Sequence, residues 1–342
     1  MQLKSIVVSW LLSAPYLAAG QTTIGSLFRV NLDDDKAGGC AARSGLLSQY
    51  LQESKDLASA GLQAIQHAQD PSAAQHDVAK RYLQAYFAVE ENDATALAFA
   101  KDIAWDTDGN DIWAMGENGE QHPLSIEVCE EYGHLFWDYD DKKRIWAKNE
   151  RVPYWSDDLS QYLADEDYDG HTFCTVPGGA NMGATQHMTT PPTVTLCPAS
   201  FTESTLSTKL GSKNPHTRQK GGKKLTELLP RSATLYHELY HLVLGHDPTP
   251  DTTYVWARQQ LLIKEPDEII SEDYEDKYDD EEGPLPPGTY GMTRAEAIRH
   301  NPESYVFFSV GYWYFMQTKW SNGDDSQRWS FHSGVSQKVK IP

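Results

Sequence analysis

Between Pro230 and Gly245 the chain reads as one short helix, and inside it stand His237, Glu238, Leu239, Tyr240 and His241. Proline stops whatever precedes it and glycine suits a helix carboxyl end, so the two residues bracket Arg231 to Leu244. At about 100° per residue, Leu235, Leu239 and Leu242 fall within about 60° of one another and make the apolar stripe. His237 and His241 lie roughly 200–240° round from Leu235 and one turn apart, so both imidazoles can reach a single metal ion at about 2.0–2.1 Å. Glu238 sits beside them, where its carboxylate can hold a water at an open coordination position. A helix with this pattern turns one face to the core and offers the other to a metal.

The first twenty residues carry one charge at Lys4, an apolar stretch from Ile6 to Leu12 interrupted by Ser9 and Trp10, and small residues at Ala18, Ala19 and Gly20. That is the layout of a signal peptide cleaved after Gly20, which predicts a secreted, extracellular protein. Cys40, Cys129, Cys174 and Cys197 form an even set without a C-x-x-C spacing, so two disulfides are expected rather than a cysteine metal site. The formal net charge of −20 argues against nucleic acid or an anionic membrane surface as a partner. The most apolar later stretch, Tyr305 to Phe315, is too short to span a bilayer and reads as a core helix.

Residues 21–342 are long enough for one large domain. The first half, about 21–110, reads as helical. Leu46, Leu47, Tyr50, Leu51, Leu57, Leu62 and Ile65 recur at helical spacing, Asp70-Pro71 breaks the pattern, and Val78, Tyr82, Leu83, Tyr86 and Phe87 resume it. A third helix is expected over Ala94 to Ile103. From Ile112 to Cys197 the runs shorten to strand length, as at Arg144 to Ala147 and Thr193 to Leu196, with Asp-Gly, Gly-Gly and Pro-Pro turns between them. The half from about 111 to 342 should therefore combine a small irregular sheet with the histidine helix, and the fold class is α+β. Two charged stretches stand out. Ser207 to Lys224 holds six cations and no acid, and reads as an exposed basic loop. Lys264 to Glu282 holds eleven acids against two lysines; as part of an acidic insertion over about 264–287, such a run should repel itself and stay solvated.

A hydrolytic metal site needs a third protein ligand, and three residues compete for it: His246, Glu268 and Asp251. His246 follows the glycine that ends the helix, and is out of register with the H-E-x-x-H-x-x-G-x-x-H pattern. Glu268 stands in Asp267-Glu268-Ile269-Ile270-Ser271-Glu272, which loosely resembles the glutamate helix of thermolysin-like enzymes. Asp251 follows a Pro-rich turn, Asp247-Pro248-Thr249-Pro250, and precedes Tyr254 by three residues.

His237-Glu238-x-x-His241 followed by Asp251-x-x-Tyr254 resembles the aspzincins, the deuterolysin-type fungal metalloendopeptidases, whose pattern is H-E-x-x-H and then G-T-x-x-D-x-x-Y-G. Here Asp247 and Pro248 replace the family's Gly-Thr, and Val255 replaces its last glycine. Lys80 to Phe87 is similar to the family's second helix, and Asn301-Pro302-Glu303-Ser304-Tyr305 to its Asn-Ala-Asp-x-Tyr segment. The resemblance covers most of the chain after the signal, at low similarity. It implies a zincin-like peptidase fold, Zn2+ held by His237, His241 and Asp251, Glu238 as general base, and Tyr254 as donor to the oxyanion. Tyr290, before Gly291, is the alternative to Tyr254. The resemblance also implies the pairings Cys40–Cys129 and Cys174–Cys197, protein or peptide substrates, and a monomer.

Some fungal surface antigens that resemble the same family scavenge zinc without catalysis, which makes a non-catalytic zinc-binding protein the alternative function. Such proteins tend to end in a Cys- and His-rich tail. Trp329 to Pro342 holds one histidine and no cysteine, which favours the enzyme.

Overall fold

Leu47, Tyr50, Leu51, Leu57, Ala58, Ala64 and Ile65 recur at three- and four-residue spacing because they are the buried face of helix α1 (Ser44–Gln69). The computed structural model describes residues 40–90, 181–186, 193–216, 222–245 and 248–341 apart from 322 and 325, together with Ile24, Cys174 and the seven short strands within 28–164. The expected signal peptide, the helix over Ala94 to Ile103, Cys129, His246 and the middle of the basic loop lie outside the described residues. After α1, Asp70 accepts from the Ser72 backbone N–H at 2.9 Å and from its hydroxyl at 2.6 Å, a local turn that reverses the chain. Helix α2 (His76–Phe87) then returns with Val78, Tyr82, Leu83, Tyr86 and Phe87 buried.

The strands are β1 (Phe28–Val30), β2 (Trp113–Met115), β3 (Gln121–Glu127), β4 (Trp137–Asp140), β5 (Ile145–Lys148), β6 (Pro153–Ser156), β7 (Gln161–Ala164), β8 (Gly183–Gln186) and β9 (Thr193–Leu196). Five of them make a mixed sheet in the order β1-β3-β9-β8, with β2 also on β3; β4–β5 and β6–β7 are separate antiparallel pairs. Strand β8 runs antiparallel to β9, with Thr185 opposite Val194, and is an edge of the described sheet. Cys174 is bonded to Cys197, and Cys40 is disulfide-bonded too; the partner expected for it, Cys129, lies outside the described residues. After the short helix α3 (Pro198–Thr202) comes α4 (Ala233–Leu244), whose Leu235, Leu239 and Leu242 pack on Val194, Leu196 and Phe201.

The acidic run departs from the sequence expectation. It folds against α5 (Trp256–Ile263), whose Arg258 is only 1% exposed. Its guanidinium meets Asp276 at 3.0 Å, Asp279 at 2.7 Å and Glu282 at 3.6 Å, and donates to the Gly283 carbonyl at 2.9 Å. The last two acids belong to a single-turn helix, α6 (Asp279–Glu282). Arg294, which opens α7 (Arg294–His300), pairs likewise with Glu265 and Glu268. Beneath these ion pairs Leu262, Ile270, Leu285, Ala297 and Ile298 form a small apolar cluster. Five of the eleven acids thus meet cations that stand outside the run, at 258 and 294, where a local charge count does not see them, while Asp267, Glu272, Asp273, Glu275 and Asp280 are exposed as expected.

Helix α8 (Pro302–Met316) is the expected core helix, buried over nearly all of its surface. Gly61 lets α1 approach it: a Cβ there would stand 2.8 Å from Ser309 Oγ. Tyr236 and Tyr240 reach α8 from the other side, bonding each other at 2.8 Å while Tyr236 also bonds Ser309 at 3.0 Å. Helix α4 is therefore buried on two sides, against the sheet through its leucines and against α8 through its tyrosines. A C-terminal hairpin, β10 (Gln327–Ser330) with β11 (Gln337–Lys340), covers the far end of α8. The architecture is α+β, and no described helix is long and apolar enough to cross a membrane.

Candidate metal centre

Helix α4 is anchored at its start by Ser232, whose hydroxyl donates to the buried Glu53 carboxylate of α1 at 2.6 Å. Negative charge there also complements the helix dipole. At its other end Gly245 takes a φ of 90°, a backbone state open to glycine, and the helix stops. The chain returns along Thr249, Pro250 and Asp251, so the Asp251 carboxylate comes back over the histidine face. Asp251 Oδ1 lies 3.0 Å from His237 Nε2 and 3.1 Å from His241 Nε2, and the two Nε2 atoms are 3.2 Å apart.

Those three distances test whether an ion fits. A tetrahedral ion with ligands at about 2.0–2.1 Å holds them about 3.3 Å apart, close to the triangle observed. The remaining ring nitrogens are already committed: His237 Nδ1 donates to Glu303 Oε2 at 3.2 Å, and His241 Nδ1 donates to Thr249 Oγ1 at 2.9 Å. The Thr249 hydroxyl spends its own proton on the Gly245 carbonyl, so it can only accept from the imidazole. If a metal ion is bound and both protons sit on Nδ1, both Nε2 lone pairs would point at one spot. His237, His241 and Asp251 thus form a buried cluster that could hold a metal ion.

Electrostatics make the same demand. Burial by itself would raise Asp251, but the two imidazoles hold its carboxyl well below the usual carboxylate range. Burial opposes a charge on His237, yet Asp251 and Glu303 outweigh it and raise the imidazole well above its ordinary value. Glu238 and Glu303 are both pushed up, chiefly by burial. Three carboxylates gather around two imidazoles whose Nε2 atoms are 3.2 Å apart, and a metal ion held by His237, His241 and Asp251 could supply the positive charge they favour.

Glu238 is only 5% exposed, and its carboxylate accepts from the Thr185 hydroxyl of β8 at 2.9 Å. Gly183, on the same strand, gives it room: a Cβ there would stand 3.1 Å from Glu238 Oε1 and 3.1 Å from the Thr195 carbonyl. Tyr254 stacks on the His237 ring at 5.5 Å and 23°, on the side of the cluster that holds Asp251. Although the residue as a whole is 55% exposed, desolvation where its ring meets the cleft and the Asp251 charge push the phenol up, so it keeps its proton. Residues from β8, α4, the Asp251 loop and Glu303 together line a cleft of about 490 Å³.

Of the residues singled out from the sequence, the structure brings together His237, Glu238, His241, Asp251 and Tyr254. Glu268 is held by Arg294 away from the cleft, and Tyr290 packs on the small apolar cluster around Ile270 and Leu285. Thr185, Thr249 and Glu303 went unassigned. Glu303 lay in plain view within Asn301 to Tyr305, but that match carried no role for it. Thr185 and Thr249 give no sequence signal, since only the return of the chain aligns their hydroxyls with the site. Comparison of the chain with protein-family models, curated proteins and solved structures finds no match.

Proposed function

We propose that the chain is a secreted, zinc-dependent endopeptidase with a zincin-like fold, akin in its site to the deuterolysin-type enzymes. One observation carries the reading: three ligand atoms from His237, His241 and Asp251 lie 3.0–3.2 Å apart, with the Glu238 carboxylate in the same cleft. Two imidazoles and one carboxylate suit zinc, whereas magnesium and calcium prefer oxygen cages. Zinc held by these three residues would polarise a water and the carbonyl under attack.

The chain's own groups supply the rest. Glu238, kept in place by Thr185, takes the proton of the attacking water and returns it to the leaving amine. Tyr254 keeps its proton and donates to the oxyanion, a contribution of about 2.7–4 kcal/mol at comparable sites. Gly183, Ala184 and Thr185 of the edge strand β8 line the cleft, and their backbone can pair with an extended polypeptide. That favours a peptide substrate over a small ester or sugar.

The test is zinc content after dialysis, alongside cleavage of an unfolded protein by the native chain and by Glu238→Gln. We expect one zinc per chain in both, with cleavage lost in the variant because an amide cannot take the water's proton. A native chain that takes up no zinc ends the metal reading. One that holds zinc and cleaves nothing leaves the non-catalytic zinc-binding alternative.

A further inference from the structure

We propose that Glu282, the last carboxylate of the acidic run, is a positioning residue for the metal centre. It holds the loop that carries Asp251 and Tyr254. The inference rests on the reading of His237, His241 and Asp251 as metal ligands and adds to it a part of the chain with no ligand of its own.

Asp251 is the one ligand not carried by α4, and residues 251–255 belong to neither helix nor strand. Their geometry depends on what ties them down. The Tyr254 backbone N–H donates to Glu282 Oε1 at 2.9 Å, and the Thr253 hydroxyl donates to Glu282 Oε2. The Thr253 oxygen in turn accepts from the Val255 N–H at 3.0 Å, so one carboxylate secures three successive residues. Val255 begins α5, which brings Arg258 back to Glu282 at 3.6 Å and to the Gly283 carbonyl at 2.9 Å. The loop, the helix and the end of the acidic run form a closed circuit. On the opposite side Asn301 donates to the Thr253 carbonyl at 3.0 Å, and two residues on Glu303 holds His237. A shift of the Tyr254 backbone would therefore carry both its stacked ring and the Asp251 carboxylate away from the histidines.

A merely structural contact would lower stability and nothing else. A positioning contact lowers metal affinity in a protein that remains folded, and a conservative replacement recovers it. The full chain would be prepared as the native protein, Glu282→Ala, Glu282→Gln and Thr253→Val, with Glu272→Gln, an exposed acid of the same run, as control. Zinc affinity is read by competition with a chelator, and exchange of the Tyr254 amide is followed in the metal-free protein. Glu282→Ala should weaken zinc by about 10–100-fold, as loss of a group orienting a ligand does, and should speed exchange at Tyr254. Glu282→Gln keeps an acceptor for the Tyr254 N–H and should recover most of the loss; the control should match the native chain. If peptides are cleaved, kcat should fall with KM little changed.

A folded Glu282→Ala with native zinc affinity and native exchange at Tyr254 overturns the proposal. Should that variant fail to fold, Thr253→Val decides, because it removes the hydroxyl tie and leaves the acidic run intact; native affinity there overturns it equally. A native chain that takes up no zinc removes the proposal together with the metal reading. A chain that binds zinc but cleaves no peptide removes only the peptidase reading, and the affinity series still decides.

Discussion

Glu303 Oε2 lies 3.2 Å from His237 Nδ1, although 66 residues separate the two. The contact joins the first turn of α8 to the ring of His237, a candidate metal ligand on α4. With a metal ion at Nε2, a Glu303 carboxylate accepting from Nδ1–H would set the tautomer of His237 and strengthen the imidazole as a ligand.

From this contact we expect Glu303→Ala to weaken metal binding by about 10–100-fold, and Glu303→Gln to weaken it less, since the amide oxygen still accepts from Nδ1. Competition with a chelator at one pH measures both. Equal, native affinity in the two variants would show that the ring is oriented by packing alone.

Gly183 makes the second prediction. Its missing Cβ would stand 3.0 Å from Thr234 Cγ2 and 3.1 Å from both Glu238 Oε1 and the Thr195 carbonyl. The carbonyl belongs to the sheet and cannot yield, so Gly183→Ala should displace the Glu238 carboxylate. The shift needed is a few tenths of an ångström, so the loss should be smaller than the roughly 100-fold that a ~1 Å misplacement of a reacting group can cost. Zinc content should stay native while kcat falls. Native turnover would mean that Glu238 is not the proton acceptor, or that β8 moves aside.

What could be read from the sequence followed from periodicity. Leu47, Tyr50 and Leu51 announce α1, and Leu235, Leu239 and Leu242 announce the sheet-facing side of α4, because each set repeats at the helical period within one element. The candidate metal cluster was readable for a similar reason: two of its residues sit one turn apart, and the third follows within a short return. Glu303 and Glu282 were not readable, since each acts on a residue distant in sequence and only the fold closes the gap. The burial of Tyr236 and Tyr240 escaped for another reason. The leucine stripe accounts for one buried side only, and the presence of α8 makes the tyrosine side a second core. The acidic run misled most, because a local charge sum leaves out Arg258 and Arg294.

Arg258 therefore carries a third prediction. Replacing it with leucine leaves Asp276, Asp279 and Glu282 without their shared cation, with side chains 4%, 23% and 14% exposed. Breaking a buried ion pair from one side typically costs about 3–5 kcal/mol. The measurement is urea unfolding of the metal-free protein, and a midpoint equal to the native one would restore the view of the run as a solvated loop. A Gly-Ser linker in place of Glu272 to Glu282 should likewise lower the melting temperature, contrary to what the charge count alone suggests.

The last prediction concerns pH. At the start of α7, Thr293 and Glu296 cap each other: the Thr293 hydroxyl oxygen accepts from the Glu296 N–H at 3.2 Å, and the Glu296 carboxylate accepts from the Thr293 N–H at 2.8 Å. The backbone bond to Thr293, followed by the side-chain bond, holds Glu296 below the ordinary glutamate value. A carboxyl whose folded value lies below its unfolded one stabilises in full above the unfolded value, and loses that contribution as pH falls through the folded one. Glu296→Ala should thus cost about 0.3–1 kcal/mol at neutral pH, as loss of an exposed acid at a helix start does. The gap between the variant and the native chain should narrow in acid, because the protonated carboxyl is a weaker acceptor for the Thr293 N–H. Urea midpoints of both proteins at neutral pH and well below the ordinary glutamate value would test it. A gap that persists unchanged in acid would assign the effect to what the uncharged Glu296 side chain contributes rather than to its charge, and a gap that widens would contradict the sign of the shift.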